Sequence, residues 1–174
     1  MTGVQTCALP IYKEICFKTK CFFGHNEKEI LSQFLELLST PFFNNINFCA
    51  HNGKEFDYPY LARRIIINKL ILPKILDIGG LKPWEIMLCD TMDMWKFGDY
   101  KAYTSLDLLA ACFDIPTSKN GIDGAKVNTF YHLKADLDSI AKYCERDVFV
   151  LAQIYCNIKG YYNVVATNVF FSVS

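Results

Sequence analysis

The sequence lacks three features that would each point to a particular class of protein. Its 18 Lys and Arg balance 18 Asp and Glu, which argues against a polyanion binder that works by bulk charge. The longest apolar stretch is interrupted by Asn68 and Lys69, well short of the roughly 18 residues that span a membrane. Cysteine pairs at CxxC spacing, which would indicate a zinc site, are also absent. These absences do not exclude an enzyme that holds nucleic acid through metal ions and a few local cations.

The cysteines that are present fit a reduced protein. There are eight, spread through apolar segments of a chain in which hydrophobic residues make up 52%. Secreted disulfide scaffolds are usually shorter and poorer in core residues. We therefore predict buried, reduced cysteines that act as small hydrophobes, in a cytoplasmic protein.

Residues 1–11, MTGVQTCALPI, resemble the translation of a common sequencing-adapter oligonucleotide. They show no helical or strand period, and they have neither the basic region nor the long apolar core of a signal peptide. We predict that they are an artefact and that native sequence begins near Tyr12. An ordinary frayed N-terminus is the alternative.

From residue 12 onwards, strand-like and helix-like patterns alternate. Strands are predicted over 12–23, 46–50 and 86–89, and helices over 26–41, 57–69, 105–113 and 134–159, the last ending at Gly160. This alternation predicts an α/β fold, and the absence of a linker favours one domain over 12–160. Residues 117–124 read as a polar loop, and the tail 161–174 has no clear role.

The last predicted helix carries a carboxylate in its apolar stripe. At about 100° per residue, Asp147 falls among Ile140, Tyr143, Leu151, Ile154 and Ile158, while Lys142, Glu145, Arg146, Gln153 and Lys159 lie on the other side. A buried carboxylate is costly unless a partner neutralises it, and Tyr143 lies one turn away on the same face. From the helix alone, a structural Asp–Tyr or Asp–Arg pair and a functional site are equally open.

A second polar group joins a buried strand to a helix, over residues 51–57. Ligand sites in α/β sheets lie at the carboxyl ends of strands. Asp57 comes just before Pro59, so the favoured interpretation is a helix N-cap, and Asn52 suits a turn. Nevertheless, Asp57 and Asp147, each at an unusual place, suggest a divalent metal site with oxygen ligands.

Taken in order, these residues resemble a known family. Asn52-x-x-x-Phe56-Asp57 and Tyr143-x-x-x-Asp147 resemble the second and third motifs of the DEDDy 3′→5′ exonucleases. With the intervening block DTMDMWKFGDY, the chain is similar over residues 13–160 to stand-alone, predicted exonucleases related to the proofreading domain of family-B DNA polymerases. The resemblance implies a ribonuclease H-like fold, with a mixed central sheet flanked by helices.

The resemblance also implies a role for each motif residue. Asp57 and Asp147 would bind catalytic Mg²⁺ or Mn²⁺, Tyr143 would orient or help deprotonate the attacking water, and Asn52 and Phe56 would hold the terminal nucleotide. Two such ions supply a hydroxide and stabilise the leaving oxygen, and carboxylates are the ligands they prefer. The implied partner is a nucleic acid 3′ end, single-stranded DNA before RNA, with no membrane.

Two further carboxylates are given structural interpretations. Asp90 ends a predicted strand and could lie near the site, although we do not expect it to be functional. Asp107 is expected in the first turn of a helix, where its charge is favourable.

The sequence departs from the family at its first motif. That motif is Asp-x-Glu on the first strand, where the period of two aims both carboxylates at the metals. No Asp-x-Glu occurs in this chain, and its expected place is upstream of Tyr12. We therefore expect an exonuclease that here lacks its first strand, lacks two of its four carboxylates and is inactive. The alternatives are a non-catalytic module that binds nucleic-acid ends or a protein, and a structural Asp147 neutralised by Tyr143 or an Arg.

Overall fold

The computed structural model describes residues 17–43, 46–99, 101–117, 137–161 and 169–172. Within them lie helices α1 Glu27–Leu38, α2 Asp57–Ile67, α3 Thr91–Lys96, α4 Leu106–Cys112 and α5 Leu137–Ile158, and strands β1 Phe17–Lys20, β2 Cys49–Ala50, β3 Cys89–Asp90 and β4 Val169–Ser172. Two 3-10 turns, Pro41–Phe43 and Lys74–Leu76, complete the set. The α/β class predicted from the sequence is confirmed. The chain divides into two compact units, residues 26–104 and residues 1–25 with 105–174.

The unit of residues 26–104 begins with a capped helix. The Asn26 side chain accepts from the backbone N–H groups of Lys28 and Glu29, and its Nδ2 donates to Glu29 Oε1 at 2.7 Å. These bonds satisfy N–H groups that have no partner inside the helix. The predicted helix start is confirmed, and α1 ends at Leu38, just before Pro41.

Helices α1 and α2 are joined by a polar bridge. The Glu27 carboxylate accepts from Arg64 Nε at 2.8 Å and from Asn68 Nδ2 at 2.9 Å, and the guanidinium also donates to its second oxygen. The Arg64 hydrogen bond accordingly lowers the pKa of Glu27. Beneath this bridge lies an apolar core of Leu31, Tyr58, Ile65, Leu76 and Leu88.

Strands β2 and β3 pair in parallel, with Cys49 opposite Cys89 and Ala50 opposite Asp90. They are shorter than the predicted strands over 46–50 and 86–89. The residues that precede them are linked by a few hydrogen bonds rather than by regular strand pairing. Cys89 N donates to Phe48 O at 2.9 Å, and Asn47 Nδ2 donates to Met87 O at 3.2 Å. The pairing still brings the carboxyl ends of both strands to one edge.

The other unit pairs β1 with β4 in parallel, Phe17 opposite Val169. The strand predicted over 12–23 is thus found at 17–20, and its residues 12–16 lie outside the described part. Phe17 packs against Ala152 and Cys156 of α5 and meets the edge of the Phe149 ring at 5.6 Å. The C-terminal tail, to which the sequence assigned no role, therefore contributes a strand.

Helix α5 is buried on two faces. Val150 and Ile154, on the predicted apolar side, are buried, and so are Glu145, Ala152 and Cys156 on the opposite side. The prediction that Glu145 lies on a polar face is wrong, because β1 packs against that face. A helix covered on both sides shows two apolar stripes rather than one.

The cysteines partly match expectation. The cysteines in the described part of the chain are reduced, and Cys21 and Cys156 are buried. Cys112 is exposed instead of buried, because it ends α4 one turn after the exposed Leu108. No helix among the described residues is long and apolar enough to cross a membrane. Most of the predicted loop over 117–124 and the segment 1–11 lie outside the described residues, and the boundaries of the 12–160 domain stay a prediction.

Candidate active site

The turn between β2 and α2 carries the first polar group and is held by a buried carboxylate. Asp90, 3% exposed, accepts from the backbone N–H of Asn52 at 2.9 Å and of Lys54 at 3.0 Å. It also caps α3, accepting from Met92 N at 3.0 Å. Asn52 has a φ of 59°, a left-handed conformation that asparagine tolerates better than most residues. Asp90 therefore fixes the path of the motif segment.

Gly53 lets this turn lie directly on the core. A Cβ added there would lie 2.4 Å from Ala50 Cβ and 3.1 Å from the Tyr58 ring, so no larger residue fits. Tyr58 is buried and its hydroxyl donates to the Cys89 carbonyl oxygen. The turn is consequently fastened to both strands.

His51 is fully engaged in structural bonds. Its Nε2 lies 2.8 Å from the Thr104 carbonyl oxygen, which can only accept, and its Nδ1 lies 2.9 Å from Thr91 Oγ1. Both ring nitrogens are thus used within the protein. Neither is left to ligate a metal.

Asp57 is the first residue of α2, not its N-cap. The cap position belongs to Phe56, so the N-cap interpretation of Asp57 is wrong. A cap at Asp57 would accept from residues 59 and 60, but Pro59 has no N–H and Tyr60 N donates to Phe56 O at 3.0 Å. The Asp57 carboxylate needs no capping role, and its residue is exposed.

The electrostatics of Asp57 favour a cationic partner. Although the residue as a whole is exposed, its carboxyl group is partly withdrawn from water, which raises its pKa, and the nearby charge of Asp90 raises it further. Its own backbone N–H and His51 act in the opposite direction. A positive ion at this position would relieve the destabilised negative charge.

The two residues expected to hold a nucleotide lie beside Asp57. The Phe56 side chain is 65% exposed and stacks on the Tyr60 ring, with centroids 5.9 Å apart and planes inclined by 7°. Asn52 is half-buried. The structure thus brings Asn52, Phe56 and Asp57 together at one end of α2.

The second group lies on α5 and shows the contact that the spacing predicts. Tyr143 and Asp147 lie one turn apart on α5, and the Tyr143 hydroxyl favours the charged form of the Asp147 carboxyl. Burial raises the pKa of Asp147, and Tyr143 lowers it in part. Burial and the neighbouring Asp147 raise the pKa of Tyr143, so its phenol keeps its proton at neutral pH.

Asp107 is a neighbour that the sequence analysis did not connect with this pair. It lies in the first turn of α4, as predicted, and its charge raises the pKa values of both Asp147 and Tyr143. Asp107 and Asp147 thus place two carboxyl groups near the tyrosine, and each negative charge there disfavours another. No signal in the sequence joined two residues so far apart along the chain.

The carboxylate oxygens are of the type that binds a divalent cation, but too few of them gather at one place in the described residues to form a complete site. Asp57 and Asp147 offer hard carboxylate oxygens in their charged form, the ligands that Mg²⁺ and Mn²⁺ prefer. Among the residues described here, no three His, Cys, Asp or Glu side chains gather into one metal-binding group. Asp57 belongs to the unit of residues 26–104, whereas Tyr143 and Asp147 belong to the other.

One of three comparisons with known proteins found a match. A search of curated proteins and a search of solved structures each gave no match. A scan against protein families matches residues 15–170 to a family described as a predicted 3′→5′ exonuclease related to the exonuclease domain of PolB. This span covers most of the chain and includes both polar groups. The chain therefore belongs to that family of predicted 3′→5′ exonucleases.

Proposed function

We propose that this chain carries a metal-dependent DEDDy exonuclease domain with a ribonuclease H-like fold, whose complete form hydrolyses phosphodiester bonds at the 3′ ends of DNA, and that the chain as its sequence stands is inactive because it lacks Asp-x-Glu. The observation that carries the proposal is that Tyr143 and Asp147 lie one turn apart on α5 and shift each other's pKa. These residues have the YxxxD spacing of the third exonuclease motif, and they lie inside the region that matches the family. Membership of the family supports the nuclease class, and the motif residues support the mechanism.

In this proposal Asp57 and Asp147 hold Mg²⁺ or Mn²⁺. Bound ions of this kind generate a hydroxide at neutral pH and stabilise the leaving oxygen. Tyr143 keeps its proton, because burial and Asp147 raise its pKa, and so it orients the attacking water as a donor. The Asn52 amide and the exposed Phe56 ring hold the terminal nucleotide.

Metal binding can be tested without cleavage. We expect Mn²⁺ to raise the melting temperature of the chain, because an ion that binds only the folded state stabilises it. Asp147→Asn and Asp57→Asn should each reduce this rise. Asp138→Asn, an exposed carboxylate in the first turn of the same helix as Asp147, is the matched control. An equal rise in all three variants would show that the carboxylates of the motifs do not bind the ion.

The alternative is a non-catalytic module on a degenerate exonuclease fold, which binds nucleic-acid ends or a protein. The absence of Asp-x-Glu from the sequence favours it. The coding sequence upstream of codon 12 at the native locus separates the two. An apolar strand with Asp-x-Glu in frame supports the exonuclease, and a strand without those carboxylates supports the binding module.

A further inference from the structure

Two lysines share one carboxylate beside the turn between β2 and α2. The Lys54 ammonium lies 3.3 Å from Asp93 Oδ2, and the Lys96 ammonium lies 3.4 Å from Asp93 Oδ1. Lys54 belongs to the turn, Lys96 is the last residue of α3, and all three residues lie in the unit of residues 26–104. The group therefore carries one positive charge more than its carboxylate neutralises.

Both lysine side chains are held largely away from water. The exposed fraction of the side chain is 20% for Lys54 and 10% for Lys96, against 44% for Asp93. The Lys96 ammonium also lies 4.8 Å from the centroid of the Tyr103 ring, which is a favourable cation–π contact. A lysine side chain is ordinarily flexible and strongly hydrated, so two that are confined at one place are unusual.

Asp90 fixes the two backbone segments that carry these side chains. It accepts from Lys54 N at 3.0 Å, and it accepts from Met92 N and Asp93 N at 3.0 and 3.4 Å. One buried carboxyl group thus sets the position of the turn and of the first turn of α3. The two ammonium groups are therefore brought together before any ligand binds, which lowers the entropy that binding would cost.

A structural role explains only part of this arrangement. One lysine is enough to neutralise Asp93, and a second ammonium group close by is repelled by the first. Ion pairs that reach the surface also add little to stability. An additional anion in contact with both ammonium groups would relieve the repulsion.

The position of the lysines indicates which anion this is. A phosphate group offers oxygens to two ammonium groups at once, and lysine is a common phosphate-binding residue. Lys54 lies three residues before Asp57 in the sequence, at the start of the same turn and helix. A strand whose 3′ end reaches Asp57 would consequently pass beside the lysines.

We propose that Lys54 and Lys96 form a binding site for one backbone phosphate of the bound single strand, on the 5′ side of the bond that is cleaved. This inference rests on the proposed function and deepens it, because it assigns a contact beyond the terminal nucleotide. Asp93 holds the two ammonium groups together in the free protein, and the phosphate replaces it as their partner. Phosphate contacts carry no sequence information, so the site adds affinity for any strand.

The salt dependence of binding tests the site without any cleavage. The probe is a short single-stranded oligodeoxynucleotide with a fluorescent label at its 5′ end, titrated by anisotropy with no divalent metal present. We expect the double variant Lys54→Gln/Lys96→Gln to lower the slope of log K against log salt by about 0.7, the contribution of one phosphate on a single strand. At about 0.1 M salt this contribution corresponds to binding that is about fivefold weaker.

Asp93→Asn separates a phosphate site from a structural ion pair. It removes the carboxylate that competes with the phosphate, so we expect the strand to bind more tightly than it does to the wild type. If the three groups only stabilised the fold, Asp93→Asn would weaken binding or leave it unchanged.

Two variants in the same unit are the matched controls. Asp77→Asn removes another exposed negative charge and measures the general effect of charge, which should be smaller than that of Asp93→Asn. Lys82→Gln removes a lysine that lies over the exposed Trp84 ring, 5.4 Å from its centroid, and should leave the salt slope unchanged.

A neutral methylphosphonate linkage, placed at one position of the oligonucleotide at a time, locates the phosphate. We expect the wild type to lose affinity most at one linkage near the 3′ end. The double lysine variant should be insensitive to the same linkage, because the contact is already missing. This measurement and Asp93→Asn preserve the test if a lysine variant does not fold.

Each outcome decides the matter. A slope loss of one phosphate in the lysine variant, together with tighter binding by Asp93→Asn, supports the site. Binding that is indifferent to both lysines, a slope loss twice as large, or weaker binding by Asp93→Asn overturns the shared site and leaves the proposed function standing. No binding by the wild type also overturns the site, and the melting temperature in Mn²⁺ then decides the proposed function separately.

Discussion

At the scale of one residue, Glu145 shows how burial can shift the pKa of a carboxyl group. It is 2% exposed on α5, and within the described part of the chain its Oε1 has no hydrogen-bond partner. Burial raises the pKa of its carboxyl group above the ordinary value, while Lys142 opposes the shift. The folded protein therefore holds this proton more tightly than the unfolded chain does.

The expected consequence is a loss of stability as the pH rises. Below the ordinary pKa of a glutamic acid both states are protonated, and the contribution is fully present. Above it the unfolded chain releases the proton first, so the free energy of unfolding falls until the folded pKa is passed. We expect Glu145→Gln to flatten this fall in urea titrations carried out at increasing pH from about pH 4. Glu36→Gln, an exposed glutamate on α1, is the control, and equal slopes in wild type and Glu145→Gln would contradict the prediction.

At the scale of elements, Asp90 joins three pieces of backbone. It ends β3, caps α3 through Met92 N, and accepts from the turn that precedes α2. Its carboxyl group is buried, and it accepts hydrogen bonds from several backbone N–H groups. The position of the NxxxFD segment thus depends on a residue outside that motif.

We expect Asp90→Ala to destabilise the chain by about 3 kcal/mol, because it leaves buried N–H donors without an acceptor. Asp90→Asn keeps one acceptor oxygen and should cost less. Chemical denaturation measures both losses. The control is Asp99→Ala, because the Asp99 side chain accepts from a single backbone N–H on the surface. Equal losses for Asp90→Ala and Asp99→Ala would show that the clamp contributes little.

At the scale of the whole molecule, membership of the exonuclease family does not by itself make this chain active. Two-ion hydrolysis needs enough carboxylates to hold both ions. The sequence supplies Asp57 and Asp147 but contains no Asp-x-Glu. The fold and the chemistry therefore have to be tested separately.

We expect the purified chain, as its sequence stands, to release no measurable mononucleotides from a 3′-labelled oligonucleotide in Mg²⁺ or Mn²⁺. The reason is the shortage of carboxylate ligands. An assay that detects both labelled mononucleotide and intact substrate checks this. Robust release that disappears in Asp147→Ala would refute the prediction.

The sequence by itself determined the features that depend on one or two turns of backbone. Three features follow from helix geometry, because residues three or four apart are neighbours on any helix. They are the Asn26 cap with Glu29, the Ser105 cap of α4 and the facing of Tyr143 and Asp147. The α/β alternation is visible because strands and helices have different hydrophobic periods. The family motifs are visible because each of them lies within one short segment.

Only the tertiary structure decided the features that join distant segments. The clamp of Asp90 on Asn52, the burial of Glu145 against the β1 side of α5 and the pairing of β4 with β1 each join residues far apart in the chain. Asp57 fails as an N-cap because Pro59 has no N–H to donate and Tyr60 N already donates to Phe56 O. The periodicity of the sequence shows how polar each face of a helix is, but it does not show which faces another element packs against. That packing decides whether a carboxyl group on the face stays hydrated, and therefore how its pKa shifts.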